Sequence, residues 1–491
     1  MHTPSTVAVN GGAPRGSRAH LARCSSGAGL RIAVGLLAAL AACSLGPRYH
    51  RPDVPTPSAW IAPSDEESPQ WPSAEWWRGF RSPELDGFIA QAQRANDDLG
   101  AAIARVREAD AERRIAGAPL LPTVDATGEA TRERASVSGT GIMTYSQFSP
   151  LLNASYELDF WGKNRAALAA ATAAAAASRY DRATIELTVL SSVATSYFQA
   201  ITFRDRITLA EANLASASQI LHGLRLEREV GTATGLDVAQ QETAVAALNA
   251  TLPPLRQQLR QVDDALAILV GSTPEAIDVA KGSLDDLVPP EVQRGIPSQL
   301  LARRPDVAEA EAQLIAANAN IAVARAAFFP SIVLTANGGY ESTALSNLLQ
   351  PASRIWALSA GLTQPIFEGG ALRGQSEYAK ARYAELLAGY HKAVISAFAN
   401  VEDALVELQQ TTEQLDRQQQ AVNQARKAFD FSQRQLRAGT INVLTLLNTQ
   451  TALFTAQDAL AQVKYARFQA SVDLFKALGG GWQQEEQRDP K

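Results

Sequence analysis

The chain carries much of its own sequence twice. Asp98 recurs as Asp306, Ala116 and Ala118 as Ala324 and Ala326, and Pro122 as Pro330. Further on, Val193 matches Val401, Gly231-Thr232 matches Gly439-Thr440, Leu236 matches Leu444 and Gly271 matches Gly479. The offset is 208 at every pair, with a one-residue slip where Phe160-Trp161-Gly162 meets Phe367-Glu368-Gly369. A period this long, held in register, means that two units of one fold make up most of the 491 residues. The units are expected at 84–271 and 298–479. A proline-bearing connection, 272–297, lies between them and a tail, 480–491, follows.

Each unit reads as a helix, a strand pair, a long helix and a shorter helix. In the second unit a helix starts at Arg304-Pro305-Asp306-Val307 and is stopped by Pro330. The strand after it alternates: Ile332, Leu334, Ala336, Gly338 and Tyr340 share one face, and Ser331, Val333, Thr335, Asn337 and Gly339 the other. Trp356, Leu358, Ala360 and Leu362 alternate in the same way with Ala357, Ser359, Gly361 and Thr363. The first unit repeats the pattern at 124–128 and 152–158. One apolar face and one small, polar face suit a barrel with lipid outside and water inside; a hairpin packed on a soluble core gives the same alternation. Four strands cannot close a barrel, for which about eight is the smallest workable number. Strands in a membrane need every edge paired, so the barrel reading demands two copies or three.

The helices are long. No proline occurs between Gly374 and Arg437, while Val394, Val401, Leu408, Leu415, Val422, Phe429 and Leu436 follow one another every seven residues. Val193, Ala200, Ile207, Leu214 and Leu221 do so in the first unit. The returning helices keep the period at Val238, Val245, Leu252, Leu259 and Leu266, and at Leu446, Leu453, Leu460 and Leu474. Such a repeat predicts coiled-coil packing, with a kink or break at Pro253-Pro254. The strips between are rich in Gln, Ala, Thr and Ser, which fits a wet lumen or an exposed rod.

The N-terminus reads as an address. Residues 1–42 hold Arg15, Arg18, Arg23 and Arg31 and no acid, then an apolar run from Ile32 to Leu40. The run is shorter than the ~20 residues that span a bilayer and fits a secretory signal. It ends Leu40-Ala41-Ala42-Cys43, a lipobox pattern that predicts cleavage and a covalent lipid on Cys43; an ordinary signal with an incidental cysteine is the alternative. Ser44 after the cysteine favours sorting to the outer membrane. Residues 43–83 hold repeated prolines, too many for a helix or central strand. They are expected to form an extended arm on the surface, anchored by Trp60, Trp71, Trp76 and Trp77.

The remaining composition excludes more than it suggests. A formal charge of −5 is wrong for a general nucleic-acid binder. Two cysteines, Cys24 and Cys43, and five scattered histidines offer neither a metal cluster nor a nucleophile with its base. His222 and His391 are isolated and receive no role. No enzyme activity and no cofactor are expected.

Several segments together resemble the TolC-like outer-membrane factors, in their RND drug-efflux lipoprotein branch. They are Leu40-Ala41-Ala42-Cys43, Leu252-Pro253-Pro254-Leu255, residues 265–271, residues 296–307, Ala326-Ala327-Phe328-Phe329-Pro330, Gln364-Pro365-Ile366-Phe367, and Lys476-Ala477-Leu478-Gly479-Gly480-Gly481-Trp482. The resemblance covers nearly the whole chain after Cys43. It implies an α+β membrane protein, a homotrimer whose four strands per protomer complete a twelve-stranded outer-membrane β-barrel above a duplicated coiled-coil tunnel, girdled by an equatorial domain. It further implies the exit duct of a tripartite small-molecule efflux pump, passive and gated at its periplasmic tip, with an adaptor protein and an RND-type inner-membrane transporter as partners. A structural coiled-coil lipoprotein bridging the envelope and a protein-secretion duct are the rival functions.

The family closes its tunnel where the long helices return. Here those turns hold Gly231, Thr232 and Gly235, and Gly439 and Thr440, expected to dock the adaptor. The resemblance places the pore constriction at Leu444 and Asn448, with Thr445 and its repeat counterpart Asp237 beside them. The family usually carries a carboxylate where Asn448 stands, so a neutral ring is expected here. Asp237 and Glu242 either supply acid nearby or are exposed positions near a helix start, where the helix dipole favours acids.

Overall fold

The computed structural model describes residues 46–57, 60, 71–137, 141–279, 282–290 and 297–483. The signal segment and Cys43 lie outside them. After a 3-10 turn at Trp76–Phe80 come α1 (Pro83–Ala95), α2 (Asp97–Gly117), β1 (Thr123–Val137), β2 (Gly141–Glu157), α3 (Lys163–Glu229) and α4 (Gly235–Leu269). The second half follows as α5 (Pro297–Leu300), α6 (Pro305–Ala326), β3 (Ser331–Tyr340), β4 (Arg354–Thr363), α7 (Ala371–Arg437) and α8 (Val443–Ala477). α3 and α7 are both 67 residues long, and α4 and α8 both 35. At ~1.5 Å per residue the longer pair runs about 100 Å.

Three readings are corrected. The stretch judged too proline-rich for helix contains the 3-10 turn Trp76–Phe80, which the aromatic run, free of proline, permits. Of the kink or break expected at Pro253-Pro254, the break does not occur, since α4 continues through both prolines: two missing N–H donors are too few to end a helix packed on both flanks. The one-residue slip does not reach the helices: their offset is 208 again, after strands that end 206 apart at Glu157 and Thr363. Gly162 and Gly370, not Gly369, are the matching left-handed N-caps of α3 and α7, with φ of 75° and 92°.

The four strands form one antiparallel sheet in the order β1-β2-β3-β4. Ala126 stands opposite Leu152, Leu152 opposite Gly338 and Gly338 opposite Trp356. The even-numbered residues 124–130, 150–156, 332–340 and 356–362 therefore make one continuous apolar face, as the alternation predicted. β1 and β2 outrun β3 and β4: only residues 151–157 of β2 pair with β3. Beyond them the hairpin is polar on both faces, with Glu133 opposite Tyr145 and Arg134 opposite Thr144.

Below the sheet, α3 packs along α2, α4, α6 and α8, while α7 packs along α6 and α8. The heptad positions form the seams: Val193, Ala200, Leu221, Val238, Leu252, Leu266, Val394, Val401, Val422, Phe429, Leu446, Leu453, Leu460 and Leu474 are all buried. One core cluster gathers Phe80, Leu85, Phe198, Leu266 and Phe475 where both repeats meet the arm. Ile277, Val279 and Leu284 of the connecting segment join it. Salt bridges Arg204–Asp278 (2.6 Å) and Lys464–Asp285 (2.5 Å) strap that segment across α3 and α8.

Candidate functional site

The sheet and the two helical returns carry what the sequence singled out. In the sheet, Val124, Leu152, Trp356, Leu358 and Leu362 are large, apolar and exposed. β3 and β4 are 10 residues each, about 33 Å of strand at ~3.3 Å per residue. Tilted by ~45°, such strands match a bilayer's hydrocarbon thickness. The opposite face is polar, with Asn153 donating to Asp125 and to Thr127, both at 3.1 Å. No helix among the described residues is long and apolar enough to cross a membrane.

The two returns at the far end are built alike. Gly231 takes φ of 80° and Gly439 of 69°, values glycine adopts without strain. Thr232 donates its N–H to the Glu227 carbonyl and Thr440 to the Gln435 carbonyl, each at 2.9 Å. Thr234 and Asn442 then cap α4 and α8 by accepting the N–H of Asp237 (3.2 Å) and of Thr445 (3.0 Å). Asp237 completes a capping box, its carboxylate accepting the Thr234 N–H at 2.9 Å and hydroxyl at 2.6 Å. The Thr445 hydroxyl likewise turns back to Asn442 at 2.8 Å.

Leu444 and Asn448 differ from that pair. They stand one helical turn apart on the face of α8 opposite the buried Val443, Leu446 and Gln450, and both are exposed, Leu444 at 51%. The structure thus brings Leu444 and Asn448 together on a free surface and engages Asp237 and Thr445 in caps. Val443 locks the two returns together, packing with Leu221, Leu224 and Val238. Glu242 pairs with Arg225 at 2.7 Å. Further from the tip, Arg206 of α3 holds Asp458 of α8 through two bonds, of 2.7 and 3.1 Å.

Sequence reasoning assigned no role to the clamps at the other end. Asn96 donates to the terminal Leu269 carbonyl of α4 at 2.8 Å, and its repeat counterpart Arg304 donates to the Ala477 carbonyl of α8 at 3.1 Å. Each holds the last turn of a returning helix to the first helix of its own repeat. Arg304 lay in plain sight within Arg303-Arg304-Pro305-Asp306, but spacing alone does not reveal a helix-end acceptor.

The arm is fixed residue by residue. Trp71 donates to Gln299 at 2.6 Å and lies under the Arg303 guanidinium. Trp60 packs 6.3 Å from Phe398, and Arg51 chelates Glu311, its Nε donating at 2.8 Å. Asn318 donates to the Pro47 carbonyl at 3.0 Å. Contacts climb α6 towards the sheet as residue numbers fall towards Cys43. Among the described residues no three His, Cys, Asp or Glu side chains gather as a metal site.

Comparison with known proteins agrees with this geometry. The profile of the outer membrane efflux protein family matches residues 88–272 and again 296–480. The chain is 42% identical over 456 residues to the pyoverdine export outer membrane protein OpmQ of Pseudomonas aeruginosa, covering 91% of this chain and 96% of that one. It is 35% identical over 456 residues to the toluene efflux pump outer membrane protein TtgC of Pseudomonas putida, covering 91% and 94%. The solved CmeC outer membrane channel of Campylobacter jejuni superposes with a TM-score of 0.84 at 26% identity, covering 90% of this chain and 96% of that one.

Proposed function

Since the chain belongs to the outer membrane efflux protein family, we propose that three copies close their sheets into one twelve-stranded barrel above a tunnel made by α3, α4, α7 and α8. It is an outer-membrane efflux channel that extends into the periplasm. Solutes pass by diffusion along the duct, and the energy comes from the pump behind it. The observation that carries this reading is the continuous apolar face across four strands whose outer edges are unpaired. Backbone groups on such edges cannot stay unpaired in hydrocarbon, so neighbouring copies must supply the partners.

The tip is the gate in this reading. Leu444 and Asn448 point away from their own protomer, so threefold symmetry would gather them as an apolar ring and an amide ring. Gly231, Thr232, Gly235, Gly439 and Thr440 form the blunt end on which a periplasmic adaptor docks, and an inner-membrane transporter of the RND class stands behind it. The cargo is of small-molecule class. The lipid on Cys43 adds a second hold on the membrane. Pro47 is fixed at Asn318, eight residues from the end of α6, about 12 Å at ~1.5 Å per residue. The four residues back to Cys43 can reach ~13 Å.

Single-channel conductance in planar bilayers tests the reading. Wild type should conduct weakly, and Leu444→Ser with Asn448→Ala should conduct several-fold more. Unchanged conductance would remove those residues from the constriction. Silence from both proteins, with native assembly intact, would favour a structural rod without a lumen.

A further inference from the structure

Two glutamines on the helical seams show how such a side chain is normally used. Gln241 of α4 donates its amide N–H to the Ala217 carbonyl of α3, and Gln418 of α7 donates to the Ala456 carbonyl of α8, both at 2.9 Å. Each amide bridges a seam. Gln450 of α8 departs from them. It is 2% exposed, yet its Nε2 has no hydrogen-bond partner. A buried donor without an acceptor is costly, and such a donor suits an acceptor that the chain does not itself supply.

Gln450 lines a cleft of about 580 Å³ between α3, α4 and α8. That volume falls in the range of sites that take small molecules, ~300–1,000 Å³. Leu209 of α3, Leu248 and Leu255 of α4 and Phe454 of α8 give it apolar walls. The charges in the lining are Arg206 and Asp458, and they hold each other through two bonds, of 2.7 and 3.1 Å. Asp458 also accepts from Gln462 at 2.6 Å. The pair cancels, so a charged occupant would lose its hydration and gain no countercharge. Apolar walls, one free amide donor and no net charge together define what the cleft can take.

We propose that this cleft binds an uncharged amphipathic small molecule, an apolar body with one carbonyl-type oxygen that accepts the Gln450 N–H. Burial of the body against the walls supplies the affinity, and the single hydrogen bond sets its orientation. The occupant touches α3, α4 and α8 together. Gln450 stands two residues beyond Asn448 on α8, so the occupant sits against the helix that carries the proposed constriction. The lining belongs to one chain, and the site does not depend on whether Leu444 and Asn448 form the gate.

Photolabelling of the native protein in lipid nanodiscs tests this, with benzophenone as the probe. Benzophenone is uncharged, has one carbonyl, and on irradiation attaches to nearby C–H groups. Label should appear on α4 between residues 244 and 258 and on α8 between 450 and 458, and it should saturate with probe concentration. Label on the lipid-facing side of β4 should rise without saturating. Gln450→Leu removes the donor and keeps an apolar body, and should weaken the cleft label by about fivefold, the weight of one hydrogen bond. Ala247→Trp, at an exposed position of the lining, should fill the cleft and abolish its label while β4 labels as before. The carboxylate analogue 4-benzoylbenzoate should label the cleft far less than benzophenone does. No saturable label on α4 and α8 of the wild type would leave the cleft to solvent and overturn the proposal. Equal label in wild type and both variants, at unchanged native mass, would overturn it too. Label lost in Ala247→Trp but unchanged in Gln450→Leu would overturn the role of the amide.

Discussion

Gly271 and Gly479 show the duplication acting at single atoms. A Cβ on Gly271 would lie 2.1 Å from the Ala95 carbonyl oxygen, and one on Gly479 2.0 Å from that of Arg303. Ala95 and Arg303 are themselves 208 apart, so one close approach of backbones has been kept in both repeats. Both glycines also take positive φ, 65° and 86°. Gly479→Ala therefore combines a clash with left-handed strain, and should cost more than the ~1–2 kcal/mol of the strain alone. Gly231→Ala, with φ of 80° but open space around it, should cost only that strain. Thermal unfolding of both variants in detergent should rank them in this order. Glu309 gives a residue-scale prediction of another kind. Burial first, then the nearby Asp181 and Asp306 carboxylates, push its pKa up to about 7. The folded state then holds this proton at pH values where the unfolded chain, titrating near ~4.3, has lost it. Its ionisation destabilises the fold increasingly as pH rises from about 4.5 to 7. Glu309→Gln keeps an acceptor for Gln313, which donates to Glu309 at 2.7 Å. The melting temperature of the variant relative to wild type should therefore rise between pH 5 and pH 8; a constant difference would show that Glu309 titrates normally.

Among the elements, what the sequence revealed follows from where apolar residues had to be periodic. The coiled helices were readable because each seam position meets a partner: Leu446, 1% exposed, packs against Phe429 and Leu453. Leu446→Ala should cost ~2–5 kcal/mol and lower the melting temperature of the assembled protein; a shift like that of the exposed Leu226→Ala would contradict the seam. The strands of the apolar band were equally readable. The outer part of the first hairpin was not, because residues such as Glu129, Arg132, Glu133 and Arg134 put polar groups on both faces and leave no alternation. Pairing with β2 alone makes that stretch a strand. The unbroken passage of α4 through Pro253-Pro254 was hidden for the converse reason. Local rules predict a kink or break, while Leu252 and Leu255, buried on either side of the prolines, keep both turns on the seam and the helix continuous. At the tip, the sequence placed Thr445 beside Leu444 and Asn448 as their neighbour along the chain, and Asp237 as the repeat counterpart of Thr445. The caps separate them: two side chains close onto Thr234 and Asn442, and two remain free.

At the scale of the whole molecule, the proposed channel has two devices for one membrane, the lipid on Cys43 and the sheet, and they can be separated. A diacylglyceryl group brings two acyl chains, enough for a stable tether, and a closed barrel has no soluble alternative for its apolar face. Either device alone is thus expected to keep the protein at the membrane, the lipid as a tether and the barrel as an embedded part. The arm agrees, since Arg51 on Glu311 and Asn318 on Pro47 fix its course whether or not a lipid is present. Cys43→Ser should abolish incorporation of labelled fatty acid, yet the assembled fraction should stay with outer membranes through an alkaline carbonate wash. Leu358→Arg with Leu362→Arg should instead act on the sheet. Both positions lie on the apolar face of β4; an arginine near the bilayer midplane, as at 358, costs ~2–4 kcal/mol, and one near the strand's end, as at 362, less. That variant should still be acylated at Cys43 and stay tethered but should fail to assemble, and with Cys43→Ser added it should wash off. If Cys43→Ser alone released the protein while the arginine variant still assembled, the sheet would not be the membrane-spanning part, and a lipid-tethered rod would be the better description.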